Sequence, residues 1–264
     1  MTSPKLQFIG GGKMAEALVG GMIATGWAIE HEIHVVEPSA ERQAILHAAH
    51  PALSLDDAPL AGVDAVLAVK PQIAPEVYPG LADAGVPRLL SIAAGITTAA
   101  MEAALPAGTV VVRSMPNTPA LVGEGMAAIA PGTHAVDADL AWAASILEAV
   151  GRVVTVAEVD LDAVTGVSGS GPAYVFHLAE ALTAAGIAQG LAPDVADTLT
   201  RQTLLGAATL LSDSGEDPAQ LRINVTSPNG TTHAGLEVMY ERRFADLIDA
   251  VVAAATARSA ELGS

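Results

Sequence analysis

A chain of 264 residues is long enough for one large domain or two ordinary ones with a sizeable core. Hydrophobic residues make up 51% and aromatics only 3%, so the apolar excess is mostly alanine, which favours an α/β chain rich in helix over an aromatic-rich sandwich. Lys and Arg total 12 against 29 Asp and Glu, and the formal charge of −17 excludes nucleic acid and anionic membrane surfaces as natural partners.

Lys5 to Gly10 is a short apolar run, followed from Lys13 to Thr25 by apolar residues in helical spacing that stop at Gly26. This is strand, turn, helix. Further strands are expected at Glu32 to Val36, Asp64 to Val69, Leu89 to Ala93, Thr109 to Arg113, Met126 to Ala130 and Arg152 to Val156, with a helix over Ala40 to Ala49 and helical segments between most of the others. From Glu158 onward no strand is expected. Ala173 to Ala185, Pro193 to Ser212, Pro218 to Asn224 and Thr232 to Leu262 all carry helical patterns. The expected architecture is a Rossmann-like doubly wound sheet in residues 1–157 and an all-helical dimerisation domain in residues 158–264. The helices of the second part are rich in Ala, Leu and Val on more faces than they can bury alone, so they are expected to pack on another copy of themselves.

The chain contains no cysteine, which removes disulfides, thiolate nucleophiles and thiolate metal sites. The histidines have no HxxxH spacing, so no metal is expected. The start, MTSPKLQFIGGG, has no basic segment leading into an apolar signal core, and the charge-free stretches are broken by Gly, Ser and Pro. A cytoplasmic protein with no membrane span is expected.

Phe8 to Ala15 spells GxGxxA between a strand and a helix, the context that gives this dinucleotide-binding fingerprint its meaning. Gly10 permits the tight turn, Gly12 lets backbone approach a pyrophosphate, and Ala15 lets helix pack on strand, while the helix start supplies N–H donors. The second strand ends in Glu37, which would accept from both hydroxyls of an adenosine ribose and repel a 2′-phosphate. Ser39 and Arg42 stand close enough to contact a 2′-phosphate instead. NADH and NADPH both remain open.

Absences narrow the chemistry. The only lysines are Lys5, Lys13 and Lys70, and Tyr174 is followed four residues on by Leu178, so the Tyr and Lys pair that protonates a carbonyl in short-chain dehydrogenases is missing. A C=N bond that arrives protonated needs only hydride and orientation. Two polar segments suit such a site. In Ser168 to Ala173, Ser170 is expected to cap a helix and Pro172 to sit in its first turn. Thr226 to Thr232 leads into the last long helix and offers N–H groups and hydroxyls that can hold a carboxylate without Arg or Lys. His233 beside it is expected to be a capping or solvated residue, and the pairs Asp56 with Asp57 and Asp160 with Asp162 to be helix-start acids. A non-catalytic cofactor sensor is the alternative that the same features permit.

Read in order, FIGGGKMAEAL at Phe8 to Leu18, AVKP at Ala68 to Pro71, SIAAGI at Ser91 to Ile96, RSMPNTPA at Arg113 to Ala120, SGSGPAY at Ser168 to Tyr174 and TSPNGTT at Thr226 to Thr232 resemble the pyrroline-5-carboxylate reductase family. The resemblance implies NADPH- or NADH-dependent reduction of a small imino acid, 1-pyrroline-5-carboxylate, to L-proline. It also implies a homodimer through the C-terminal helices, often assembled into a decamer. Cofactor contacts would come from Gly10, Gly11, Gly12, Lys13, Met14, Glu37 and Ser39. Ala68, Val69, Lys70, Ala93, Ala94 and Gly95 would lie beside the nicotinamide end, closed by Met115, Pro116 and Asn117. Ser227, Gly230, Thr231 and Thr232 would bind the substrate carboxylate, with Thr232 near the ring nitrogen as the catalytic residue. The chain departs from the family where many members have Gly in place of Asn229, an exchange that a turn bears because Asn tolerates positive φ. It also has Gly215 where some members carry Glu, with Glu216 one place later, and an acidic Glu37 where members that favour NADPH are usually neutral or basic.

Overall fold

A computed structural model describes residues 4–263. The first three residues of the start that was read above as lacking an export signal lie outside these. Contacts divide the chain into two compact units, residues 1–170 with 254–264, and residues 171–253.

In the first unit the described strands form one eight-stranded sheet, ordered β3-β2-β1-β4-β5-β6-β7-β8. Its elements are β1 (Leu6–Ile9), α1 (Lys13–Ala24), β2 (Ile33–Val36), α2 (Ala40–Ala49), β3 (Ser54–Asp56), β4 (Asp64–Leu67), α3 (Ala74–Asp83), β5 (Arg88–Ser91), α4 (Thr98–Ala104), β6 (Val110–Met115), β7 (Gly125–Pro131), α5 (Asp137–Leu147) and β8 (Gly151–Thr155). All pairings are parallel except β6 with β7. The central strands are apolar on both sides because helices cover both faces of the sheet. Leu6 and Phe8 of β1 join a core with Leu18 and Met22 of α1, Leu46 of α2 and Ile146 of α5, while Ile9 faces the other core with Leu81 of α3 and Met101 of α4. The one polar residue of β1, Gln7, is fully buried, and its amide is satisfied by the carbonyls of Leu60 and Val63 and the N–H of Leu60.

α1 buries Ala15, Leu18, Val19 and Met22, the spacing of a helix with one face on a sheet. The edge strand β3 is an element the sequence pattern does not announce. It is only three residues long and ends on Asp56, with Asp57 just after it, so this pair sits at a strand end and not at a helix start. Asp160 and Asp162, by contrast, do stand at a helix start, Asp160 as the N-cap of the short helix Leu161–Val164 and Asp162 in its first turn, where Asp162 also accepts from the Ser259 hydroxyl at 2.6 Å.

β8 leads into α6 (Leu161–Val164), a π-helical turn (Thr165–Gly169) and α7 (Gly171–Ala188). Ser170 therefore ends the π turn and does not have the extended backbone of the N-cap expected for α7. It is helical itself at φ −87° and ψ −19°, and its N–H donates to the Thr165 carbonyl five residues back. The sequence hides this because the glycines of SGSGP signal a helix start as readily as a helix bulge.

The second unit holds α7, then α8 (Pro193–Ser214), α9 (Pro218–Asn224), α10 (Thr231–Glu241) and the first half of α11 (Phe244–Leu262). The expected single helix from Thr232 to Leu262 is broken. Arg243 takes a left-handed conformation at φ +54°, and its N–H donates to the Tyr240 carbonyl. Among the described residues of this unit only Ala196 and Thr200 are buried, while Phe176, Leu182, Leu199, Leu205, Val238 and Leu247 lie exposed. No described helix is long and apolar enough to cross a membrane.

Candidate active site

The parallel strands β1, β2, β4, β5 and β6 end along one edge of the sheet, and each leads into one of the expected cofactor segments. The strand order reverses between β1 and β4, and ligands of open α/β sheets sit outside the carboxyl ends of the strands at such a switch point. Gly10 leaves β1 at φ +102°, and a Cβ there would lie 2.9 Å from Val69 Cγ1 and 3.0 Å from the Ala68 carbonyl oxygen. Glycine is required on both counts. Gly12 differs: its φ is −66°, and a Cβ there would meet nothing within 4 Å. It is the N-cap of α1 and offers no side chain to cap the helix N–H groups, so the helix start faces open space beside a bare backbone. That cradle fits the pyrophosphate of a dinucleotide. Lys13 is exposed at the first position of α1, and Met14 is half-buried against the core.

Glu37, just past β2, is tied to this turn. Its Oε2 accepts from the Gly11 N–H at 3.0 Å and its Oε1 from the Ser39 N–H at 2.9 Å. Ser39 caps α2, where its hydroxyl accepts from the Arg42 N–H. Past β4, the Ala68 N–H donates to the Ile9 carbonyl and binds the two loops together, with Val69 half-buried and Lys70 exposed. Past β5, Ala93 is buried and Ala94 exposed, and Gly95 turns at φ +76° with its Cα hydrogen side close to the Leu262 carbonyl, where a Cβ would approach to 3.1 Å.

Met115 ends β6, and Pro116 and Asn117 follow. The Asn117 side chain donates to the Ser168 carbonyl at 3.1 Å and accepts from the Met126 N–H at 2.8 Å. A Cβ at Gly169 would press on Met115 Cε at 2.6 Å. Two segments singled out separately in the sequence thus hold each other: SGSG is the seat of MPN. Asn117 acts here through its ties to backbone.

A polar cluster that sequence reasoning missed lies nearby in the same unit. Glu158 accepts from the Thr98 N–H at 2.8 Å, the Thr98 hydroxyl at 2.6 Å and Arg113 at 3.0 Å. Burial works against the charged form, yet these donors hold its carboxyl below the ordinary value. The three residues are far apart in the chain, and no local signal could have joined them.

In the second unit, Ser227 to Thr232 folds as its own turn. Asn229 adopts φ +58°, as expected of Asn in a glycine's place. The Ser227 carbonyl accepts from the Gly230 N–H at 3.0 Å, and Gly230 caps α10 with no side-chain bond to the helix N–H groups. Thr231 and Thr232 open the helix and are exposed, and His233 is half-buried. Glu216 is engaged elsewhere, accepting from Asn224 at 3.1 Å.

The pyrroline-5-carboxylate reductase of Synechocystis is 44% identical over 99% of this chain and 99% of its own length, and that of Pseudomonas aeruginosa is 42% identical over 99% and 98%. The chain belongs to the pyrroline-5-carboxylate reductase family. The family's dimerisation model matches residues 158–262, and a model of F420-dependent NADP oxidoreductases matches residues 5–95. Among solved structures, a pyrroline-5-carboxylate reductase from Coxiella burnetii superimposes with a TM-score of 0.93 at 33% identity, covering 100% of both chains. The Plasmodium falciparum pyrroline carboxylate reductase, solved with NADP bound, gives 0.85 at 29% identity and the same coverage. Membership makes this chain one of a family of NAD(P)-dependent oxidoreductases with a Rossmann-like part and a helical dimerisation part.

Proposed function

We propose that this protein reduces 1-pyrroline-5-carboxylate to L-proline, using residues 1–157 to hold NADH or NADPH and residues 158–264 to dimerise and bind the substrate. The bound reduced nicotinamide supplies the hydride that the imine carbon takes. The turn at Gly10 to Met14 holds the pyrophosphate on the α1 start, and the loops at Ala68 to Lys70, Ala93 to Gly95 and Met115 to Asn117 form the walls at the nicotinamide end. Glu37 and Ser39 bind the adenosine ribose. Ser227, Gly230, Thr231 and Thr232 bind the substrate carboxylate by N–H groups and hydroxyls. Thr232 orients the ring nitrogen and carries its proton.

The observation that supports these roles most directly is the start of α10, whose N–H groups have no side-chain cap. An anion there gains about 0.3 to 2 kcal/mol from the helix dipole, which suits a carboxylate ligand in a chain that carries −17 charges. The lack of the Tyr and Lys pair that protonates a carbonyl suits a C=N acceptor, since one hydride and one proton, drawn from water by way of Thr232, complete the reduction. The exposed apolar faces of α7, α8 and α10 support a homodimer through these helices, and five such dimers would make the larger assembly, a decamer. Family likeness supports a place in the cytoplasm.

Rates with 1-pyrroline-5-carboxylate and with its six-membered piperideine analogue test the reading. Faster turnover of the five-membered ring is expected. Faster turnover of the piperideine would assign the scaffold to another imine.

A further inference from the structure

The sequence leaves two residues competing over the cofactor's adenosine ribose: an acidic Glu37 that disfavours a 2′-phosphate, and Arg42, the cation that could welcome one. In the structure they are not equivalent. Glu37 is pinned by both carboxylate oxygens, to the Gly11 N–H at 3.0 Å and to the Ser39 N–H at 2.9 Å. It cannot withdraw from the end of β2 without releasing the glycine turn itself. Each oxygen still has a lone pair to accept a ribose hydroxyl.

Arg42 is already spent. Its Nε donates to the Gly11 carbonyl, and its guanidinium pairs with Glu16 of α1 at 2.5 Å, with its side chain only 20% exposed. To reach a 2′-phosphate it would have to leave a carbonyl and a carboxylate together. Glu16 is therefore a latch on the one guanidinium of the α2 start, while the Ser39 hydroxyl accepts as the helix cap and keeps its O–H to donate to the ribose.

We propose that Glu37, fixed to the turn, and Glu16, holding Arg42 away from the ribose, make NADH the preferred cofactor of this protein over NADPH. The inference rests on the reading that the Gly10 to Met14 turn holds a nicotinamide dinucleotide. A cis-diol meets a ready acceptor, whereas a 2′-phosphate meets a fixed carboxylate and an arginine already paired with Glu16.

The test is equilibrium binding of NADH and NADPH to the unaltered protein, followed by nicotinamide fluorescence, alongside kcat/KM for both cofactors with 1-pyrroline-5-carboxylate. NADH is expected to bind about tenfold more tightly or better, a difference of about 1.4 kcal/mol. Glu37→Ser should bring the two Kd values together, chiefly by strengthening NADPH, and Glu37→Gln serves the same end if the serine variant does not fold. Glu37→Ser combined with Glu16→Gln frees Arg42 and should turn the preference to NADPH. Equal or tighter NADPH binding by the unaltered protein overturns the inference, as does a ratio unmoved in the Glu37 variants. If NADPH is favoured and pyrroline is still reduced, only this inference fails. Tight NADH binding without turnover of the pyrroline leaves it standing and removes the assigned reaction.

Discussion

Gly10 and Gly12 stand two residues apart in one turn, yet alanine at each should fail in a different way. At Gly10 the backbone is at φ +102° and a Cβ would press on Val69 Cγ1 at 2.9 Å and the Ala68 carbonyl at 3.0 Å. Strain at a positive φ costs about 1 to 3 kcal/mol, and crowding against a neighbouring strand end adds about 1 to 3 more. Set against a typical stability of about 5 to 15 kcal/mol, Gly10→Ala should lower Tm by about 5 to 15 °C and weaken cofactor binding with it. At Gly12 the φ is −66° and the space is open. Gly12→Ala should cost under about 1 kcal/mol as an N-cap change, with Tm nearly unmoved. Its Cβ, however, fills the place where a pyrophosphate meets backbone, and Kd for NADH should rise about tenfold or more. Thermal melts and NADH titrations of both variants are the assays. A Gly12→Ala protein that binds NADH as well as the unaltered one would refute the assignment of that space to the cofactor. A Gly10→Ala protein with unchanged Tm would refute the packing argument.

Other outcomes follow from the same geometry. Thr232→Ala should lower kcat/KM for the pyrroline about 10- to 100-fold with Kd for NADH unchanged, and a changed Kd with unchanged kcat/KM would remove Thr232 from the substrate side. Phe176 and Leu205 are 63% and 62% exposed, so Phe176→Glu with Leu205→Glu should shift the protein from dimer or larger to monomer in light-scattering chromatography; an unchanged mass would place the interface elsewhere. Glu158→Gln should cost about 1 to 2 kcal/mol at neutral pH by weakening its bonds to Thr98 and Arg113. Because the Glu158 carboxyl is held below 4.5 in the fold, the stability it contributes is complete above that value and lost as pH falls through the lowered one. The difference between the two proteins in acid unfolding should therefore shrink below pH 4.5, and a constant difference would show that the charge is not what Thr98 and Arg113 hold.

Much of the glycine turn and of the helix after it was legible because their demands are local. Gly10 had to be glycine for its own dihedral, and the apolar spacing from Ala15 to Met22 marks a helix wherever it lies. The turn at Asn229 was legible for the same reason, a residue type matched to a positive φ. Features that depend on distant partners were not. β3 exists because β2 offers an edge, not because Ser54 to Asp56 prefer extension. The break at Arg243 has no Gly or Pro to announce it. The π turn at Thr165–Gly169 seats Met115 beside Gly169, a partner distant in the chain. Glu158 with Thr98 and Arg113, and Arg42 with Glu16, are ion and hydrogen-bond partners that only the folded chain brings together. The last of these matters most for function, since the sequence presents Arg42 as an available cation and the structure does not.

The most direct test of the account is the stoichiometry of one reaction: purified protein, NADH and 1-pyrroline-5-carboxylate, with NADH consumed and L-proline formed measured side by side. One proline for each NADH, and no NADH consumption when the pyrroline is left out, is the expected result. No proline with either NADH or NADPH, from protein that binds the cofactor, would contradict it.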